Sequence, residues 1–158
     1  MVTIGIIHGP NLNQLGKRQE EHYGIITLAE INARLEKYAL NIGIKLEFMQ
    51  SNYEGKIIDG IQSFSNKVNG IIINPGAFTH YSYAIRDALE DCPLPVIEVH
   101  LSNIFSREDF REKSVTAPVC EGQIVGMGYY GYLMAIKGIQ YLIKARNPIN
   151  INKEVSDE

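Results

Sequence analysis

The hydrophobic pattern of this chain switches repeatedly between the period of a strand and the period of a helix, and this alternation restricts the fold more than any other feature. Five short apolar runs rich in β-branched residues predict strands. They span Thr3–His8, Lys45–Gln50, Gly70–Asn74, Pro95–Val99 and Gln123–Gly126. Strands separated by helices form βαβ units with right-handed crossovers. The pattern therefore predicts an α/β fold, a flavodoxin-like doubly wound five-stranded parallel sheet with helices on both faces.

Between the strands, apolar side chains recur every three or four residues, as on the buried face of a helix. The clearest series are Leu28, Ile31, Leu35, Tyr38 and Ile42, and Ile57, Ile61, Phe64 and Val68. Thr27 and Ser51 each precede a glutamate by three residues, which is the capping-box spacing that predicts a helix start. Ser106 precedes an aspartate by three residues and is a weaker example of the same signal.

Composition limits the domain organisation and the class of partner. With 158 residues, 45% of them hydrophobic, the chain can form one core. We expect a single catalytic domain over 1–146 and a polar tail over 147–158. A net charge of -3 gives no basic surface for nucleic acid, no apolar stretch is long enough to span a bilayer, and no secretory signal is apparent. Two cysteines outside any CxxC motif suit a reducing cytoplasm. A small molecule is the expected partner.

The residues that could do chemistry are concentrated where the predicted strands end. In doubly wound sheets, ligands bind outside the carboxyl ends of the strands. Strand one runs into a long connection over 9–24, GPNLNQLGKRQEEHYG, whereas strand three ends in NPGAFTHYS and strand four ends in EVHLSN. Connections of this kind usually need only a few residues, so the long loop is predicted to be a functional lid.

Two glycine patterns resemble phosphate-binding loops, and both are rejected. Gly9 and Gly16 are separated by six residues where a Walker A loop has four, and an arginine occupies the position of its Ser or Thr. The GxGxxG pattern over 126–131 follows the last predicted strand, so no further strand carries a ribose-binding acid. It is interpreted as a tight turn into the final helix.

Glu98 and His100 alternate on one strand and therefore point to the same face. Three interpretations are open: a structural histidine bonded to a carboxylate, a carboxylate that orients an acid/base imidazole, or a zinc site completed by His80. The second is favoured over metal because no HExxH motif or further ligand cluster occurs. Arg107 and Arg111, four residues apart on a predicted helix, are either a solvated face or ligand contacts.

The loop over 74–80 could be a simple turn, since Asn, Pro and Gly are turn formers. It could also present an amide and backbone N–H groups to a carboxylate. In the long loop, Tyr23 is a candidate base. A tyrosine has a pKa of about 10, but a neighbouring cation such as Arg18 stabilises its anion. A lid that excludes water could let it remove a proton next to a carbonyl.

Three segments together, GPNLNQLG…R…YG, INPGAFTHYSYAIRDAL and EVHLSNIFSREDFR, resemble the type II 3-dehydroquinate dehydratases. The resemblance runs from about Ile4 to Leu142. It implies a flavodoxin-like hydro-lyase of the shikimate pathway that converts 3-dehydroquinate reversibly to 3-dehydroshikimate. The implied route is an anti elimination through an enol or enolate, with no metal, no cofactor and no lysine Schiff base. The family also implies a homo-oligomer, typically a dodecamer of four trimers.

The resemblance assigns five catalytic roles. Tyr23 would be the base, and Arg18 would lower its pKa and stabilise the transition state. Asn11 would hold a water against the enolate oxygen. His100 would protonate the departing C1 hydroxyl, and Glu98 would orient His100.

The resemblance also assigns residues that bind the substrate: the carboxylate by Asn74 and the backbone N–H groups of Leu101 and Ser102, and the ring hydroxyls by His80 and Arg111. Asp87 would reach the pocket across a trimer interface, and Arg107 matches an arginine beside the lid. The chain departs from the family at 19–20, where Gln-Glu replaces Glu-Pro, and at Phe105, where a histidine is common. A non-catalytic module that binds small carboxylates remains the alternative; it would need Asn74 and Ser102 but not the acid and base.

Overall fold

The computed structural model describes residues 1–17 and 25–147. Arg18, Tyr23 and the tail over 148–158 lie outside the described residues. The strands are β1 Val2–His8, β2 Ile44–Gln50, β3 Gly70–Asn74, β4 Val96–His100 and β5 Gly122–Val125. The α-helices are α1 Leu28–Asn41, α2 Glu54–Phe64, α3 Tyr83–Glu90 and α4 Tyr130–Arg146.

All five described strands are parallel and form one sheet in the order β2-β1-β3-β4-β5. This is the doubly wound, flavodoxin-like order, so the predicted fold class is confirmed. The strand order reverses between β1 and β3, and the register places His8 beside Asn74 at that point. The loops after β1 and β3 therefore begin next to each other.

The sheet is covered on both faces, which is why its central strands β1 and β3 are almost continuously apolar. One core cluster packs α1 and α4 against the sheet, and Ile6 and Ile72 are fully buried within it. The other packs α2 and α3 against the opposite face around Ile7 and Ile73. Within a strand, successive side chains thus pack into the core clusters on opposite faces of the sheet. The two clusters hold β1, β3 and β4 rigidly and fix the positions at which these strands end.

The predicted helix starts are right at Thr27 and wrong at Ser51. The Thr27 side chain accepts from the Glu30 N–H, and Glu30 reaches back to the Thr27 N–H, so the capping box is complete. Helix α2 instead has Tyr53 at its N-cap, without a side-chain cap. The Ser51 hydroxyl accepts from the Tyr53 N–H at 3.0 Å, which makes a local turn.

The glutamate that should have completed that second box, Glu54, has another partner. Its carboxylate accepts a hydrogen bond from the hydroxyl of Ser82, which is the N-cap of α3. Ser82 in turn accepts from the Ile85 N–H at 3.0 Å. A tertiary contact between two helix starts therefore replaces the local cap.

The helix predicted after Ser106 is also wrong. The chain forms two short 3-10 helices, Ile104–Ser106 and Asp109–Arg111. Asn103 causes the first, because its side chain accepts from the Phe105 N–H at 3.2 Å. The GxGxxG segment is a turn into α4, as predicted, with φ values of 81° at Gly126 and 56° at Gly128 that favour glycine. None of the described helices has the length and apolar character to cross a membrane.

Candidate active site

A cleft opens at the carboxyl ends of the strands, where the doubly wound topology predicts it. The space between its walls, including the part that is open to solvent, is about 660 Å³. The lining includes eight residues that the sequence analysis singled out: Asn11, Asn74, His80, His100, Leu101, Ser102, Arg107 and Arg111. Leu12, Leu15 and Ile104 add apolar surface that was not predicted.

The loops after β1 and β3 interlock at the cleft. The Gly9 N–H donates to the Asn74 carbonyl at 2.7 Å, and a Cβ at Gly9 would lie only 2.6 Å from the backbone of Pro75. Glycine is needed there for close backbone approach and not for phosphate binding. Asn11 then adopts a left-handed conformation, φ 67°, and its N–H donates to the Asn52 side chain at 2.9 Å. This places Asn11 on the cleft wall.

Asn74 is buried, and its side-chain oxygen accepts from the Gly76 N–H at 3.0 Å. The loop that follows is a 3-10 helix, Gly76–His80, and not the start of α3, so no α-helix N-terminus follows Asn74 directly. The amide is therefore positioned by the turn itself. Tyr132 lies behind it: burial raises the pKa of the Tyr132 hydroxyl, and the nearby Asn74 side chain opposes that rise.

Behind Asn74 lies a buried histidine that the sequence analysis did not assign. His8 is fully buried; its Nδ1 lies 2.9 Å from the Tyr132 hydroxyl, and its Nε2 lies 2.9 Å from the Asn32 side-chain oxygen. Burial lowers the pKa of His8 to about 4, although the bond to Asn32 opposes this. His8 is therefore neutral at pH 7, and since Asn32 accepts from Nε2, Nδ1 accepts from Tyr132.

Glu98 and His100 lie together at the end of β4, as their alternation predicted. The His100 Nε2 and a Glu98 carboxylate oxygen are 3.6 Å apart, both side chains are buried, and His100 lines the cleft. Burial by itself raises the pKa of Glu98, but His100 and the hydroxyls of Thr116 and Thr79 outweigh it. The pKa of Glu98 is therefore below its usual range, and the group is a carboxylate.

The zinc alternative does not have the required geometry. Within residues 1–17 and 25–147, no group of three His, Cys, Asp or Glu side chains is placed to hold a metal ion. Instead, the Nδ1 of His80 donates to the Lys113 carbonyl at 2.8 Å. Burial lowers the pKa of His80, so the ring is neutral at pH 7 and presents Nε2 as an acceptor.

The two arginines reach the cleft although their predicted helix does not exist. Arg111 is held by Glu108, with 2.6 Å between its Nε and the carboxylate, and stacks on Phe110 at 4.7 Å. Arg107 donates to the Ser102 hydroxyl at 3.3 Å. Asp87, by contrast, is exposed on α3 and does not line the cleft of the single chain. Arg18 and Tyr23 fall outside the described residues.

Comparison with known proteins explains this arrangement. Residues 2–140 match the family described as dehydroquinase class II. The chain belongs to this family. Class II dehydroquinases are the type II 3-dehydroquinate dehydratases, so the expected resemblance is confirmed, and the chain is a hydro-lyase of the shikimate pathway that dehydrates 3-dehydroquinate.

Individual relatives agree over most of their length. The chain is 57% identical over 136 residues to a 3-dehydroquinate dehydratase of Halalkalibacterium halodurans, covering 86% of this chain and 94% of the relative. The crystal structure of a type II dehydroquinase from Butyrivibrio crossotus matches with a TM-score of 0.86 and 50% identity, over 88% of this chain and 97% of that one. A type II dehydroquinase from Propionibacterium acnes gives 0.85 at 37% identity, over 91% and 97%.

Proposed function

We propose that this dehydroquinase works by an anti elimination in two steps, with a fixed acid at the end of β4 and a base in the loop over 9–24. The observation that carries the proposal is the buried pair at the cleft wall, His100 within 3.6 Å of the carboxylate Glu98. A buried carboxylate beside an imidazole stabilises its protonated form and restricts its orientation. That is what a general acid for a poor leaving group needs.

In the first step, Tyr23 acts as the base. The tyrosinate, stabilised by Arg18, removes a proton from the carbon between the ketone and C1, and the electron pair moves onto the carbonyl oxygen as an enolate. The new negative charge exists only along the reaction path, so donors beside it lower the barrier selectively. Asn11 lines the cleft and is assigned to hold a water against that oxygen.

In the second step, the enolate collapses and expels the C1 hydroxyl. His100 gives its proton to the departing oxygen, so that water leaves and the conjugated enone of 3-dehydroshikimate remains. The proton taken by Tyr23 and the proton given by His100 balance over one turnover. Because the two groups belong to separate segments of the chain, they are assigned to opposite faces of the ring, as anti geometry requires.

The remaining cleft residues would bind the substrate. Asn74 and the backbone N–H groups of Leu101 and Ser102 are assigned to the carboxylate. The neutral His80 is assigned to a ring hydroxyl, because its Nε2 can accept the hydroxyl proton while Nδ1 is held by a carbonyl. Arg111 is assigned to a further ring hydroxyl of the substrate, and its Nε is held by the Glu108 carboxylate.

We further propose a dodecamer of four trimers, in which Asp87 reaches the pocket of a neighbouring protomer. Its exposure on α3 supports this role, since it is accessible to a second chain. The proposed location is the cytoplasm. In support, Cys92 and Cys120 are both free thiols, which is the ordinary state in a reducing compartment. Residues 1–146 would form the catalytic unit.

Hydrogen exchange separates the two assigned steps. In D2O, NMR of 3-dehydroquinate reports loss of the proton next to the ketone, while ultraviolet absorbance reports the enone. We expect His100→Ala to retain exchange and to lose dehydration, because the acid acts after the enolate forms. We expect Tyr23→Phe to lose both.

His100→Gln serves as the second variant, because it keeps a polar side chain and should match His100→Ala. Dehydration by both His100 variants at the wild-type rate would refute the assigned acid. Exchange at the wild-type rate by Tyr23→Phe would refute the assigned base.

A further inference from the structure

The Glu98 carboxylate is surrounded by side-chain donors that the assigned roles leave unexplained. Thr79 donates to one carboxylate oxygen at 2.5 Å, and Thr116 donates to the same oxygen. The other oxygen accepts from Gln123 at 2.7 Å and from Ser114 at 3.1 Å. We call these four side chains the Glu98 cage. They come from the 3-10 helix after β3, from β5 and from the segment between Arg111 and β5.

The cage fills the hydrogen-bonding capacity of the carboxylate. Two carboxylate oxygens offer about four acceptor sites, and the cage provides two donors to each oxygen. A protonated carboxyl group would have to place its own hydrogen against one of these donors. The hydroxyls also contact one another, Thr79 lying 2.8 Å from both Ser114 and Thr116, so they form one network that ends on the carboxylate. Hydroxyl and amide donors around the carboxylate favour its charged form, although Glu98 is completely buried.

The saturated carboxylate also explains the position of His100. Its Nε2 is buried and has no hydrogen-bond partner within the described part of the chain; the nearest Glu98 oxygen is 3.6 Å away. That distance is too long for a hydrogen bond but short for two charges in a buried site. Glu98 thus faces His100 with its fixed charge and makes no hydrogen bond to the His100 Nε2.

We propose that the cage residues are positioning residues for the dehydration: they fix the Glu98 carboxylate, and the fixed carboxylate holds His100 ready as the acid. The inference rests on the assignment of His100 and deepens it. Among the described residues, the titratable groups that interact with Glu98 are His100 on its own strand, His80 from the 3-10 helix and the Cys120 thiol from the segment before β5.

The test replaces Thr116 by valine, which keeps the shape and removes the donor. Because a hydrogen bond to a charged group is lost, kcat should fall about tenfold while KM stays within about twofold. Thr3→Val is the matched control, since the Thr3 hydroxyl makes no hydrogen bond in the described part of the chain. Thr116→Ser restores the donor and should recover most of kcat. If Thr116→Val does not fold, Gln123→Met carries the same prediction from the other oxygen.

A spectroscopic signature distinguishes positioning from simple structural support. In protein labelled with ¹³C at the glutamate carboxyls, the Glu98 signal is identified by its absence from Glu98→Gln. Thr116→Val should move its titration to higher pH by about one pH unit, because the charged form loses a donor. Thr3→Val should leave it where it is in the wild type. A Glu98 titration and a kcat that both match the control would overturn the proposal.

A double-mutant cycle separates this inference from the assigned acid. In the Glu98→Gln background, Thr116→Val should change kcat less than about twofold, because its effect passes through the carboxylate. If the effects of Glu98→Gln and Thr116→Val on the free energy of activation from kcat are fully additive, the proposed role of the cage is wrong. If Glu98→Gln alone left kcat unchanged, the assigned role of the His100 pair would fail instead.

Discussion

The buried histidine behind the cleft makes the stability of this enzyme depend on pH in a way that can be calculated. His8 has a pKa of about 4 in the folded chain against 6.5 for an exposed histidine. Below pH 6.5 the unfolded chain binds a proton that the folded chain excludes, so stability falls as the pH is lowered. Above pH 6.5 both states are neutral, and the effect is absent.

The size of the effect follows from those two pKa values. Between pH 7 and pH 5, protonation of the unfolded state lowers the free energy of unfolding by about 2 kcal/mol, and the loss approaches about 3 kcal/mol near pH 4. A variant without this histidine lacks the dependence. His8→Gln keeps an uncharged polar side chain, and its own destabilisation is the same at both pH values.

Urea unfolding at pH 7 and pH 5 measures the difference, with one protein concentration throughout so that any effect of assembly is equal. The stability advantage of wild type over His8→Gln should shrink by about 2 kcal/mol from pH 7 to pH 5. All other titrating groups are common to both proteins and cancel. Parallel stability curves for the two proteins would refute the buried, neutral histidine.

Other consequences can be measured directly. Tyr23→Phe should nearly abolish turnover, measured by enone absorbance, because the proton acceptor is lost. Substrate binding, measured by calorimetry, should be roughly retained because the ring keeps its shape. Turnover near the wild-type rate would contradict the assignment of Tyr23 as the base. Thr27→Ala should cost about 1 kcal/mol of unfolding free energy in urea, since the α1 capping box is lost, whereas an unchanged midpoint would contradict the cap. Ile72→Ala should cost about 2–5 kcal/mol in the same experiment, because the side chain is fully buried in the sheet, and a loss below about 1 kcal/mol would contradict the packing.

The fold was predictable because its signals are local. Each strand and helix shows its period over a few residues, and a parallel sheet must be covered on both faces, so the order of elements led to the topology. The position of the cleft followed from the topology alone. Asn74 and His100 could be placed at the cleft because each is the last residue of a strand whose carboxyl end borders the cleft.

The errors and omissions involve contacts between segments far apart in the sequence. Ser51 has the spacing of a helix cap, but its intended partner is bound by Ser82 from another helix. The donors around Glu98 come from three separate segments, so no local motif marks them. From the sequence, His8 is only the last residue of an apolar strand. The contact with Tyr132, which is 124 residues further along the chain, appears only in the folded structure.

The mechanism proposed for this chain uses side chains alone, without a metal or a lysine imine. The most direct test follows the enone absorbance of 3-dehydroshikimate as purified protein acts on 3-dehydroquinate, in buffer alone, with EDTA, and after treatment with borohydride in the presence of substrate. We predict the same rate in all three cases. Loss of turnover with EDTA would show that a metal takes part, and loss after borohydride would show a Schiff base; either result would contradict the mechanism proposed for Tyr23 and His100.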